Sequence, residues 1–361
     1  MINYQSGLSS TGYGVVGYNL WDQLSAKEDL TLWPIGGRQG VNPPVTPSDG
    51  LVARLRRDIE RQDEFISDAP TLKIWHENHL AERIGCGYYC ALPFFEISKF
   101  NSRRRSHLRS ADHLIVTSDW ASNIVLNNLG RSCPPLSVIP CGVDRNIFSS
   151  TLYRKENDKC VFLNSGKWEI RKGHDILHKA FRDAFAGSEQ VELWMMATNP
   201  FLTPQEKRDW EDPYRCDKRI KLLDRVDYQE GLAKIMARAT CGVFPARSEG
   251  WNLELLEMMS MGKPVIATNY SAHTEFCTED NSLLIDIVEE EPIYDGKWFV
   301  EDCGTWACLD GEPYDQLVSH MRDIYETWRT TPEMVNESGI QTAKRLSWES
   351  MANQVLEVIE G

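Results

Sequence analysis

The stretch Cys241-Gly242-Val243-Phe244-Pro245-Ala246-Arg247-Ser248-Glu249-Gly250-Trp251-Asn252-Leu253-Glu254-Leu255-Leu256-Glu257-Met258-Met259-Ser260-Met261-Gly262-Lys263-Pro264-Val265-Ile266-Ala267 decides the fold class. It opens on a short apolar run, 241–245, which reads as a buried strand. A loop follows. Asn252 stands where a helix N-cap belongs, and Glu254 falls in the first turn, where a negative charge suits the helix dipole. Residues 253–261 carry the helical pattern, Gly262 is placed to end it, and 264–267 is the next strand. Strand, loop, helix and strand make a βαβ unit, the building block of parallel sheets.

The same alternation runs through the rest of the chain. In the first half, strands are expected at 2–4, 32–34, 72–75, 89–92, 113–117 and 136–139, with helical patterns between them, for example at 13–25 and 120–129. In the second half, strands are expected at 160–164, 192–197 and 220–223 besides the two above. Helices are expected at 174–185, 228–237, 253–261, 313–328 and 348–359. Polar residues gather at 146–158, which reads as a linker between two domains. The acidic run Glu289, Glu290, Glu291 leads into 294–311, read as an irregular excursion before the penultimate helix.

Bulk properties agree with two α/β domains. The chain has 361 residues, 42% of them hydrophobic and 25% charged. That length suits two domains of roughly 150–200 residues, and the composition excludes widespread disorder. Lys plus Arg is 39 and Asp plus Glu is 53, a net charge of −14. Such a chain does not coat nucleic acid or an anionic membrane through its overall field, although a local basic run can still steer one. No stretch approaches the roughly 20 apolar residues of a transmembrane helix, and residues 1–18 are polar and glycine-rich, unlike a signal peptide. The ten cysteines form no Cys-x-x-Cys pair. Cys86 and Cys90 are the nearest in sequence, so small thiols in a reducing cytoplasm are expected rather than a metal cluster.

Ligands of open α/β sheets bind at the C-terminal ends of strands, so the loops there carry the candidates. After the strand at 241–245, Glu249 lies in the loop and Glu257 in the helix. Carboxylates accept hydrogen bonds from hydroxyls, so the two can grip a polyol. Gly250 gives close backbone approach, and the N–H groups of Trp251, Asn252 and Leu253 can receive phosphate or sugar oxygens. The same spacing also suits a loop and an amphipathic core helix. After the strand at 160–164 comes Gly166-Lys167-Trp168-Glu169-Ile170-Arg171-Lys172-Gly173, whose cations suit a diphosphate as well as a solvated loop. Gly12 and Gly14 follow the first strand in a glycine-rich turn. His76, in Trp75-His76-Glu77-Asn78-His79, ends another strand and can orient a substrate or move a proton. Arg103, Arg104 and Arg105 with Arg109 read as a solvated helix face or a grip on an anionic acceptor.

Together these turns resemble the GT-B glycosyltransferases, in particular the retaining family 4 (glycosyl transferases group 1). The family's Glu-Gly-Phe-Gly-Leu with a second Glu and a later Gly-x-Pro-Val stands here as Glu249-Gly250-Trp251-Asn252-Leu253, Glu257 and Gly262-Lys263-Pro264-Val265. Ile139-Pro140-Cys141-Gly142-Val143-Asp144 resembles Ile-Pro-Asn-Gly-Val-Asp, Gly12-Tyr13-Gly14 resembles the N-terminal glycine loop, and Ser347-Trp348-Glu349 resembles the start of the last helix. Lys167 replaces the usual Arg, and Cys141 the usual Asn. The segment Leu92-Pro93-Phe94-Phe95-Glu96 has no His where the family often carries one.

The resemblance implies two Rossmann-like βαβ domains facing across a cleft, with a C-terminal helix crossing back to the first. The expected boundaries are 1–148 with 346–361 for the acceptor domain and 149–345 for the donor domain. It implies transfer of a sugar from a UDP- or GDP-sugar to an acceptor hydroxyl (glycan, lipid-linked glycan, protein or modified nucleobase), with retention and without a metal. No other cofactor is expected. Glu257 would hold the ribose, Glu249 the transferred sugar, and Lys167, Lys172 and Arg171 the leaving diphosphate, for which Gly12 and Gly14 leave room. His76 and Glu96 are the acceptor-side candidates. A sugar phosphorylase, an inverting transferase and a non-catalytic nucleotide-sugar-binding module are the alternatives.

Overall fold

A computed structural model describes residues 1–151, 158–187 and 190–361. The chain divides into two compact units, Met1–Asp144 with Asp227–Glu230 and Leu346–Gly361, and Arg145–Val226 with Gly231–Arg345. Of the stretch read as a linker, 152–157 lies outside the described residues.

The first unit holds β1 (Ile2–Ser6), β2 (Leu30–Pro34), β3 (Thr71–His76), β4 (Tyr89–Phe94), β5 (His113–Val116) and β6 (Leu136–Val138). They pair in parallel in the order β2-β1-β3-β4-β5-β6. β4 is buried along its whole length, as a strand covered on both faces must be. Its helices are α1 (Gly12–Leu24), α2 (Asp49–Glu60), α3 (Ser102–Leu108) and α4 (Asp119–Leu129). α2 was not among the helices named from the sequence. It shows only Leu51 and Leu55 as buried apolar residues on a charged segment. Its anchors are polar: the Ser48 side chain caps it, and buried Asp58 accepts the Trp21 indole N–H at 3.0 Å.

The second unit holds β7 (Cys160–Gly166), β8 (Val191–Ala197), β9 (Ile220–Leu222), β10 (Cys241–Phe244), β11 (Val265–Thr268) and β12 (Leu283–Ile285). All pair in parallel, in the order β12-β11-β10-β7-β8-β9. Around them stand α5 (His174–Ala184), α6 (Pro204–Arg215), α7 (Gln229–Arg238), α8 (Leu253–Ser260), α9 (Glu312–Thr330) and α10 (Glu337–Arg345). The core is built from Phe162, Phe181, Leu193, Met195, Val243 and Met321. The excursion read as irregular contains a two-stranded antiparallel ribbon, β13 (Glu290–Pro292) with β14 (Thr305–Ala307). Two helices, α9 and α10, stand between it and α11, so it does not precede the penultimate helix; α10 was not expected. That helix is short and polar, and buries Ile340 and Ala343 against α8.

The last helix, α11 (Trp348–Glu360), groups with the first unit and packs on α1. Val143 N–H donates to Leu346 O at 3.1 Å. A Cβ on Gly142 would stand 2.1 Å from Trp348 N, so this close approach requires glycine in the Ile-Pro-Cys-Gly-Val-Asp segment. Among the described residues, no helix is long and apolar enough to cross a membrane.

Candidate active site

Strand order reverses in the second unit between β7 and β10. Open parallel sheets leave a crevice for ligands at the carboxyl ends of strands at such a point. The loops that follow β7 and β10 meet here. Glu249 Oε1 lies 2.7 Å from Lys172 Nζ, and Glu249 Oε2 lies 2.8 Å from Arg171 Nη1. The three side chains are only 7%, 13% and 8% exposed. Burial pushes the Glu249 carboxyl up, but the charges of Arg171 and Lys172 outweigh burial and bring it to about 2. Burial pulls Lys172 down, and the charges of Glu249 and Glu254 more than restore it, so its pKa is raised. The pair is therefore ionised at neutral pH.

Arg171 was expected to touch a diphosphate. Its guanidinium is instead spent on protein groups: Glu169 Oε2 at 2.7 Å, Ser248 O at 2.7 Å and Glu249. It braces one loop against the other. Lys167 does not join the cluster around Glu249; its Nζ lies over the Phe201 ring, 5.6 Å from the centroid. The two loops are also tied by Arg247, a residue of the quoted stretch to which no role was assigned. Arg247 N–H donates to Arg171 O at 2.6 Å. Its guanidinium reaches Ile170 O at 2.7 Å, Asp175 at 2.8 and 3.0 Å, and Glu291 at 2.7 Å. Ala307 N–H returns to Arg247 O at 3.0 Å, so the β13–β14 ribbon supports the site. No local spacing signals a partner 44 residues away.

Asn252 caps α8, accepting Leu255 N–H at 3.3 Å, and adopts φ 83°, ψ 79°. It is the left-handed residue of the loop, a role Gly250 does not take. Gly250, Trp251 and Leu253 are buried around it, and the Trp251 and Phe276 rings lie 4.8 Å apart. Glu257 is buried in α8.

Two buried histidines flank the cluster. His174 donates Nε2–H to Asn164 Oδ1 at 2.9 Å. Burial, with the charges of Lys172 and Arg171, lowers its pKa to about 3. Burial lowers His273 to about 4. Both stay neutral in the folded state while the unfolded chain takes up protons below about 6.5. Stability is therefore full above pH 6.5 and falls as pH drops toward 4, by up to about 1.4 kcal/mol per pH unit for each histidine. The urea midpoint is expected to fall clearly between pH 6.5 and 5, with a shallower fall in His174→Gln. Equal slopes in the two proteins would refute this account.

In the first unit, strand order reverses between β1 and β3, and the residues expected there do gather. Tyr13 donates its O–H to Phe94 O at 2.9 Å and lies 2.9 Å from His76 Nδ1. With its proton committed, Tyr13 accepts from His76, which places the imidazole proton on Nδ1 and leaves Nε2 as the basic nitrogen. Glu96 lies two residues past β4, half-buried. A Cβ on Gly12 would meet open space, whereas one on Gly14 would strike Ser9 at 2.2 Å, so Gly14 serves the turn's own close packing. Arg104 departs from the solvated face read for 103–105. It is 14% exposed and bonds buried Glu77 at 2.8 Å. Burial raises the Glu77 carboxyl although Arg104 pulls it down.

Residues 158–294 match the family described as Glycosyl transferases group 1. That stretch falls mostly within the second unit. The chain is similar over its whole length to solved structures that share the fold. One is sucrose-phosphate synthase from Thermosynechococcus elongatus, at 16% identity and TM-score 0.67 over 99% of this chain and 98% of that one. Another is Anabaena HepE in complex with UDP and glucose, at 14% identity and TM-score 0.67 over 100% and 99%. The two parallel six-stranded sheets thus share the GT-B fold of these structures. A curated relative, the MMP alpha-(1->4)-mannosyltransferase of Mycolicibacterium hassiacum, is 21% identical over 70% of this chain. The matched region spans about half of that relative, 54% of its length.

Proposed function

We propose that this protein is a retaining glycosyltransferase that moves a sugar from a UDP- or GDP-sugar to an acceptor hydroxyl. The observation that carries the proposal is the buried Lys172–Glu249–Arg171 cluster at the strand-order reversal, within the stretch that matches glycosyl transferases group 1. A carboxylate has about four acceptor sites, and Lys172 and Arg171 occupy one each, so Glu249 retains capacity for sugar hydroxyls. Its orientation is set before substrate arrives, which is what transition-state stabilisation needs. Lys172 is a fixed cation in a water-poor site, placed to hold the diphosphate as negative charge grows on it, and Lys167 adds charge on the same loop. In this scheme the lysines neutralise the leaving group without a divalent metal. The N–H groups at the start of α8 receive donor oxygens, and Glu257 accepts from the ribose hydroxyls. Support for a uridine donor comes from HepE, solved with UDP and glucose, and the mannosyltransferase relative supports sugar transfer.

In the first unit we assign acceptor orientation to His76, with Glu96 beside the next strand end. The acceptor is a hydroxyl compound. A cytoplasmic location belongs to the same proposal and rests on the free cysteines, exposed Cys86 and Cys216 among them, which suit a reducing compartment.

The test is thermal stabilisation by UDP, GDP, ADP and their sugar conjugates in EDTA, for wild type and Glu257→Ala. A ligand bound only by the folded state raises the melting temperature, corresponding to about 2.7 kcal/mol at a hundred times Kd. One nucleotide is expected to stabilise wild type clearly and the variant much less. No shift with any nucleotide, with or without magnesium, refutes the donor assignment. The anomeric configuration of the product, read by NMR, tests retention.

A further inference from the structure

Two non-glycine residues among those described have left-handed φ, Asn252 at 83° and Ser271 at 53°. Residues in such sparsely populated conformations persist only where their surroundings over-determine them, and they collect at functional sites. Both of these adjoin Glu249. Ser271 Oγ accepts Glu249 N–H at 2.8 Å. The next residue, Ala272, donates its N–H to Glu249 O at 3.3 Å. One turn thus holds both main-chain groups of the carboxylate that Lys172 and Arg171 hold by its side chain.

His273 completes the arrangement from the same turn. It has no exposed surface. Its Nδ1 lies 3.1 Å from Thr268 O and its Nε2 lies 2.9 Å from Asn252 Nδ2. The direction of this chain follows from its ends. A carbonyl only accepts, so Nδ1 carries the proton and donates to Thr268 O. Asn252 Oδ1 is committed to Leu255 N–H, so the Asn252 amide N–H donates to His273 Nε2. A neutral imidazole of this tautomer therefore holds Asn252 by one end of its amide while the other end caps α8. Glu249, Gly250 and Trp251 are strung between two fixed points, the Ser271 contact and the Asn252 contact.

We propose that the turn 271–273 is a clamp that sets the position of Glu249, and that His273 is a positioning residue for sugar transfer that acts through Asn252. This rests on the donor-site reading of Glu249. A small misplacement of a substrate-holding group costs rate far more than it costs donor binding, because the reacting geometry is lost while most contacts survive. The clamp therefore makes a different prediction from a merely structural histidine.

The experiment compares His273→Ala, His273→Gln, Asn252→Gly and the Asn252→Gly/His273→Ala double variant. His273→Ala is expected to lower kcat by about tenfold or more, with donor KM within about threefold of wild type. His273→Gln keeps an oxygen that can accept from Asn252 and is expected to recover most of the lost kcat. In the Asn252→Gly background the amide that needs His273 is gone, so His273→Ala is expected to cost less than about threefold further. A kcat for His273→Ala within threefold of wild type overturns the proposal, as does an equal loss in both backgrounds. If the wild-type protein transfers no sugar from any nucleoside diphosphate sugar, the donor reading itself has failed. The clamp is then decided by urea midpoints of the same four-protein cycle. Non-additive shifts of Asn252→Gly and His273→Ala support it, and additive shifts overturn it.

Discussion

Lys172→Ala is expected to lower sugar transfer about a hundred- to a thousandfold, the loss of about 2.7–4 kcal/mol that follows removal of one preorganised group facing developing negative charge. The second unit should stay folded, because Glu249 keeps Arg171 at 2.8 Å and its carboxylate is not left buried without a counter-charge. Glu249→Ala is the contrasting case. It too should abolish most transfer, but it strips the shared partner from both Lys172 and Arg171. Breaking a buried pair by removing one partner costs about 3–5 kcal/mol. Initial rates of transfer and urea midpoints of both variants check the pair of expectations. Near-normal transfer by Lys172→Ala refutes the assigned role. A Glu249→Ala protein as stable as wild type refutes the electrostatic account of the cluster.

Gly173→Ala should be among the most damaging single-methyl changes in the second unit. Gly173 has φ 71°, and a Cβ there would stand 2.1 Å from Pro245 O, on the loop that carries Glu249. Left-handed strain contributes about 1–3 kcal/mol and overpacking about 1–3 kcal/mol more, so a destabilisation of about 2–6 kcal/mol is expected. The clash pushes the loop after β7 away from the loop after β10. Whatever fraction stays folded should then lose transfer, as Lys172 is drawn from Glu249. Gly187→Ala is the control that separates the two terms. It has φ 91° with nothing within 4 Å of the added Cβ, so it should show only the strain, about 1–2 kcal/mol. Equal urea midpoints for the two variants would show that the contact with Pro245 does not matter.

Much of this was legible along the chain. The apolar runs behind β4, β8, β10 and β11 are near-continuous because both faces of a parallel sheet are covered there, and such runs survive as a one-dimensional signal. Glu249, Asn252 and Lys172 were legible because loop, cap and helix are local. The missed helices show the limit. α6 was not among the expected helices although it carries a complete local signature, a capping box of Thr203 and Glu206 with Pro204 between them. α2 and α10 were not legible, because their helicity depends on anchors elsewhere: Asp58 on the Trp21 indole, and Ile340 against α8. Short helices with thin apolar faces draw most of their stability from such packing.

The sequence by itself determined the two βα-repeating halves, the loops that hold the candidate site and the resemblance to a glycosyltransferase. Only the tertiary structure decided which side chains share a site and which brace it. Strand order cannot be read from strand patterns, and the reversal between β7 and β10 is what brings Lys172 to Glu249 across 77 residues. Arg171 looked like a ligand for phosphate, yet its fork is filled by Glu169, Ser248 and Glu249. The partners of Arg247 and Asn252, Glu291 and His273, lie 44 and 21 residues away. A charged or polar residue type announces the interactions it is capable of making. The partner that satisfies it is chosen by burial, since a buried charge or amide must be paired wherever in the chain its partner lies.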